Sequence, residues 1–104
     1  MLVNFSPARE SEANYTRPAI VLTNNAANAN NVVITVVPLT TNLGRVYPFQ
    51  LLLPHGRTGL DEDSKAQVEQ IRSVALSRVL RRLGNVPNDL MRELDARIRE
   101  HLAL

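Results

Sequence analysis

Short runs of β-branched and aliphatic residues recur through the first two-thirds of the chain and are cut each time by asparagine, proline or glycine, which confines it to small strands and turns. Leu2 to Phe5 is such a fragment. Ala19 to Thr23 and Val32 to Val37 are two more, and they flank the run Asn24 to Asn31, whose side chains compete with regular backbone pairing and make an irregular turn. Between the first two lies Pro7 to Thr16, a polar stretch long enough to read as a functional loop. Tyr47 to Leu53 predicts another strand, with Pro48 marking an edge or bulge, and Pro54 to Gly59 closes it with turn residues that include His55.

The remainder is less regular until its end. In Gln67 to Val74 the apolar residues Val68, Ile71 and Val74 fit either strand or helix, and Ala75 to Gly84 is equally ambiguous. After the break at Gly84-Asn85, Pro87 stands where a helix can start without losing a hydrogen bond, predicting a helix from Pro87 to about His101. Leu90, Met91, Leu94, Ile98 and Leu102 form its apolar stripe, while Arg92, Glu93, Arg97, Arg99 and Glu100 lie outside it on a solvated face. The implied class is a mainly β (α+β) domain that its last helix covers.

With 104 residues, the chain has room for a single domain over 1–104. It has no cysteine and only two histidines, His55 and His101, far apart in sequence, so zinc chemistry has almost no material and no metal site is expected. Asp61-Glu62-Asp63 reads as a solvated turn, because three consecutive acids cannot all face one cation. Phosphate-cradling glycine loops, a G-x-S-x-G elbow and H-E-x-x-H are absent. No apolar stretch approaches a membrane span and no signal peptide is evident, so cytoplasmic residence and no membrane partner are expected.

The formal charge is only +2, but its distribution is informative. Before Asp61 there are four basic residues, Arg9, Arg17, Arg45 and Arg57, against Glu10 and Glu12, whereas eight bases balance eight acids from Asp61 onward. Anionic partners are favoured by the early arginines. Ser11-Glu12, Arg17 at the entry of a strand and Thr40-Thr41 at the exit of the next suit a phosphate: arginine offers a fork of donors, threonine a hydroxyl, and a carboxylate can orient the arginine or move a proton. A structural Arg17–Glu12 ion pair is the alternative on sequence alone.

Val3-Asn4-Phe5-Ser6-Pro7, Ser11-Glu12, Arg17-Pro18-Ala19-Ile20-Val21-Leu22, Val37 to Asn42, Tyr47-Pro48-Phe49 and Glu69-Gln70-Ile71-Arg72-Ser73 resemble, in order, the MazF/PemK (Kid) family of toxin endoribonucleases. The resemblance spans almost the whole chain. It implies an SH3-like small barrel with a C-terminal amphipathic helix, a homodimer, no cofactor, single-stranded RNA as substrate and a MazE-like antitoxin as partner. It also implies a strand at Val68 to Ser73, then a helical turn and a further strand up to Val86. By the same resemblance Arg17 and Thr40 are the catalytic pair, Glu12 the supporting acid, and Phe5, Ser11, Thr41, Gln70 and Arg72 line the RNA groove. Two departures stand out. Family members start their first strand with an Arg-Gly-acid-Ile sequence that Met1-Leu2 lacks, so either that strand is shortened or the start lies inside the gene; and Glu10 replaces a frequent glycine, which stiffens the loop before Ser11.

The reaction the resemblance implies is metal-independent cleavage of RNA, in which a ribose 2′-hydroxyl attacks its own phosphate to leave 2′,3′-cyclic phosphate and 5′-hydroxyl ends. Two other readings stay open: a CcdB-like topoisomerase-binding toxin on the same barrel, whose C-terminal tryptophan motif is missing here, and a catalytically inactive homologue that only binds antitoxin.

Overall fold

A computed structural model describes residues 2–4, 16–22 and 33–103. Among the described residues seven strands, all paired antiparallel, make one sheet: β1 (Leu2–Asn4), β2 (Thr16–Val21), β3 (Val33–Thr40), β4 (Leu51–Leu53), β5 (Ser64–Ala66), β6 (Arg72–Ala75) and β7 (Val79–Arg81). A one-turn helix, α1 (His55–Thr58), follows β4, and the chain ends in α2 (Asn88–Leu102).

β3 organises the sheet. Its residues Val36 to Pro38 pair with β2 on one side; on the other, Val33 to Val36 pair with β6, and Leu39 and Thr40 with β5. Pro38 falls in the gap between these last two ladders, where its missing N–H costs no sheet bond, and its carbonyl accepts the Gln67 N–H at 2.9 Å. The strand is therefore central despite its proline.

Alternation along β3 divides the protein into two cores. Val37 and Leu39 face α2, joining Ile20, Leu51, Leu53, Ala66, Val68, Leu90 and Leu94 in one cluster. Ile34 and Val36 face the other way and pack with Val3, Ala19, Val74 and Val79. That second cluster takes side chains from β1, β2, β3, β6 and β7, whose pairing order is β6-β3-β2-β1-β7. β6 and β7 lie at opposite ends of that order, yet only the 3₁₀ turn Leu76–Arg78 joins them, so the five strands curl round the cluster. This is the expected small SH3-like barrel.

Several local expectations change. Tyr47 to Leu53 is not one strand: Tyr47 to Gln50 form a turn, closed by the Gln50 N–H donating to the Tyr47 carbonyl at 2.8 Å, and only Leu51–Leu53 pair. Val68–Gln70 is a 3₁₀ turn, and the strand starts two residues later, at Arg72. β7 stops at Arg81 rather than running to Val86. β5 is an unexpected strand, three residues long with all three buried. Thr16 opens β2 instead of closing a loop.

The helix α2 follows its prediction with two exceptions. Leu90 and Leu94 are buried, and Met91 and Ile98 pack at their margin, but Leu102 is 46% exposed. Arg97 is not simply solvated: its Nε donates to the Gln50 carbonyl at 2.7 Å. The helix N-terminus is tied down by a forked contact from Arg57 Nη2 to the two oxygens of Asp89 at 2.8 and 3.0 Å. This contact lowers the Asp89 carboxyl below its usual range, and the helix dipole favours an acid there. Gly84 permits the chain before α2 to cross the end of α1, since a Cβ there would lie 2.1 Å from the Thr58 carbonyl oxygen.

Deleting a packed side chain in the first core costs transfer energy and leaves a cavity. Leu94→Ala is expected to lose about 2–5 kcal/mol of stability in urea unfolding. Leu102→Ala, outside that core, is expected to stay within about 0.5 kcal/mol of the parent.

Candidate active site

Register places the first two of the residues expected at the site. Ala19, Ile20 and Val21 stand opposite Pro38, Val37 and Val36, and the same register continued by two residues sets Arg17 level with Thr40. Both point to the face that carries the second core, at its open end. Arg17 is exposed and Thr40 half-buried. On its other side Arg17 stands opposite Val3 of β1, so its backbone is held between two strands while the guanidinium stays in water.

Thr40 is half-engaged. Its Oγ1 accepts the Asn42 N–H at 3.2 Å, and Asn42 Oδ1 in turn accepts the Gly44 N–H at 3.2 Å. These contacts shape the chain as it leaves β3, and they leave the hydroxyl proton of Thr40 able to donate to an anion. Arg72 belongs to the same sheet face, opposite Val36. Gln70 is exposed at the end of the 3₁₀ turn that precedes β6. Thr41 is separate from the pair: it lines a cleft of about 440 Å³ together with Pro18, Ser64 and Arg81. Phe5, Ser11 and Glu12 lie outside the described residues.

The loop after Thr40 is built from contacts no sequence motif announces. Gln50, only 3% exposed, accepts the Tyr47 N–H on Oε1 at 3.0 Å and donates from Nε2 to Glu69 Oε2 at 2.8 Å. Tyr47 and Phe49 stack with ring centres 5.3 Å apart and planes 5° from parallel, and Phe49 meets the His101 ring at 5.9 Å. The Arg45 guanidinium lies over Tyr47, 4.6 Å from the ring centre. Lys65, paired with Thr40 in register and 7% exposed, donates from Nζ to the Arg45 carbonyl. The sequence signal for Lys65 was its place between Ser64 and Ala66, but three residues are too short a run to reveal a strand.

Elsewhere the ionisable groups are engaged structurally. Asp63 accepts both the His55 N–H, at 2.8 Å, and a contact from the His55 ring, at 2.6 Å, and the backbone bond first of all holds its carboxyl below the usual range. Among the described residues, no three metal-ligating side chains cluster and no helix is long and apolar enough to cross a membrane.

Comparison with known proteins identifies the family and the fold. Residues 1–102 match the sequence profile described as "PemK-like, MazF-like toxin of type II toxin-antitoxin system". The chain belongs to this toxin family. It is 50% identical to Endoribonuclease MazF9 of Mycobacterium tuberculosis over 107 aligned positions, covering 98% of this chain and 91% of that protein. Among solved structures, MazF from Deinococcus radiodurans superposes with a TM-score of 0.79 at 25% identity, over 99% of this chain and 91% of that one. A MazE-MazF structure from the same organism also gives 0.79 at 25% identity, over 99% and 89% of the two chains. The Mycobacterium tuberculosis toxin MazF-mt6, at 20% identity and a TM-score of 0.78 over 86% and 88%, shares the fold. The toxin fold is thus common to chains whose sequences have diverged widely.

Gln50 gives this region of the toxin its clearest test. Gln50→Leu keeps the bulk but removes the acceptor for Tyr47 and the donor to Glu69, whose Oε1 is already buried with no partner among the described residues. The substitution is expected to cost about 1–3 kcal/mol, read from chemical unfolding.

Proposed function

We propose that this toxin is a sequence-specific, metal-independent endoribonuclease that cleaves single-stranded RNA. The reading rests on the β2–β3 register, which pairs Ala19 with Pro38 and, continued by two residues, sets Arg17 level with Thr40. A forked cation and a hydroxyl donor across two adjacent strands match the oxygens of one phosphodiester. The 50% identity to an endoribonuclease supports the same reading.

In this mechanism the ribose 2′-oxygen attacks the adjacent phosphorus and loses its proton to Glu12. The P–O5′ bond breaks, the 5′-oxygen takes the proton from the Glu12 carboxyl, and the products are a 2′,3′-cyclic phosphate and a 5′-hydroxyl. Arg17 stabilises the extra negative charge on the phosphorane, a role suited to a side chain too basic to serve as proton acceptor. Thr40 donates to a non-bridging oxygen. Because the nucleophile belongs to the substrate, the chemistry asks the protein for charge and position, not for a cysteine or a metal ion. Phe5, Ser11, Thr41, Gln70 and Arg72 line the RNA path in this reading. The toxin acts in the cytoplasm as a homodimer, and a MazE-like antitoxin restrains it, in keeping with the MazE-MazF pairing of the Deinococcus relative.

Cleavage of a long RNA is expected to persist in excess EDTA and to leave 5′-hydroxyl ends. Arg17→Ala is expected to lower the single-turnover rate by about 10²–10³, and Thr40→Val by less, with both variants remaining folded. Dependence on added Mg²⁺, 5′-phosphate ends, or wild-type cleavage by folded Arg17→Ala would each refute the proposal. Static light scattering is expected to give twice the 11.6 kDa chain mass at tens of micromolar, about the level typical of moderate dimer affinity.

A further inference from the structure

Lys65 is an expensive residue in its position. It sits on a short interior strand, 7% exposed, between Ser64 and Ala66, which are also buried. Lysine is almost never buried unless its ammonium is paired, and an apolar side chain would fill the same place at lower cost. Among the described residues its hydrogen-bond acceptor is the Arg45 carbonyl. Lys65 stands between Thr40 of β3 and Leu52 of β4 in the register of β5, so all three side chains form one row on one face.

The carbonyl it holds belongs to the segment that leaves β3 at Thr40. Arg45 is fixed twice: its backbone by Lys65, its guanidinium by the face of Tyr47. Tyr47 is itself stacked on Phe49, which packs against His101 of α2, so the platform under Arg45 is anchored to the helix. Arg45 is exposed all the same. An exposed guanidinium with its conformational entropy already spent can read the edge of an unstacked base or stack against it, the two ways arginine recognises single-stranded RNA.

We propose that Lys65 is a positioning residue that fixes Arg45 in the segment leaving β3 after Thr40, and that Arg45 so placed determines which base is accepted next to the cleaved phosphate. This rests on the endoribonuclease reading above. The ammonium acts on the protein, through the loop backbone, and the guanidinium acts on the RNA.

The test compares wild type, Lys65→Met, Lys65→Arg and Arg45→Ala by sequencing the 5′-hydroxyl ends produced from a long RNA, with hydrogen exchange of residues 41–47 and thermal unfolding measured alongside. Lys65→Met and Arg45→Ala are expected to relax preference at the same base position, by about tenfold, the scale of one charge-assisted hydrogen bond. Lys65→Met is expected to speed exchange across 41–47 and to raise KM more than it lowers kcat, and Lys65→Arg, which keeps a donor, to restore part of the preference. A Lys65→Met protein that folds and retains the wild-type cleavage profile overturns the inference, as does one that loses kcat with the profile intact, which would put the ammonium on the phosphate. If Lys65→Met fails to fold, Arg45→Ala decides alone: an unchanged profile overturns the inference and a relaxed one supports it. Wild-type protein that does not cleave RNA refutes the endoribonuclease reading itself, and this inference falls with it.

Discussion

Everything at the site depends on the pairing of β3 on both edges and its burial on both faces. Val37 and Leu39 hold it to the helix side, Ile34 and Val36 to the barrel interior, so the strand can neither slide nor rotate. A one-residue slip would exchange the two faces and move each buried side chain to the wrong core. Register is therefore specified by two hydrophobic clusters at once, and the level of Arg17 against Thr40 is a by-product of that specification. The geometry that the proposed phosphate chemistry needs costs little locally because the cores have already imposed it.

The same strand explains why a proline and a polar exit are tolerated near the site. Pro38 occupies the interval in which β3 changes partner from β6 to β5, and beyond it Thr40 can stop being a core residue. Asn42 and Gly44 then turn the chain through short side-chain-to-backbone contacts. Further along, Gln50, Glu69 and Arg97 bind the loop to the 3₁₀ turn and to α2. A rigid strand end and a cross-braced loop meet at Thr40. In the proposed mechanism, that junction holds a catalytic group and a base-reading group in fixed relation.

Legibility in the sequence followed the strength of local signals. Val33 to Val37 and Ala19 to Val21 announce themselves through β-branched density, and α2 through its 3.6-residue stripe and the proline before it. What failed to show were elements defined by partners remote in sequence. β5 is three residues long and includes a lysine, so only its neighbours β3 and β4 make it a strand. Tyr47 to Gln50 has strand-like composition, yet the Gln50 amide captures the Tyr47 N–H and turns the chain. Val68–Gln70 is a 3₁₀ turn that sets Val68 in the first core, closed by the Gln70 N–H donating to the Gln67 carbonyl at 2.8 Å. Leu102 fitted the helical stripe, but α2 reaches past the sheet it covers. Of the proposed site, Arg17 and Thr40 stand out by residue type and place in their strands and take their roles from the family resemblance, whereas Lys65 and Gln50 make tertiary contacts that no spacing encodes.

The central claim is that Arg17 and Thr40 act together on one phosphate. A double-mutant cycle on Arg17→Ala and Thr40→Val, measured as single-turnover cleavage of one RNA site, tests it most directly. Shared engagement predicts that the combined variant loses clearly less than the product of the two single losses. A combined loss equal to that product, in variants that remain folded, would mean that the two residues act independently and would contradict the account.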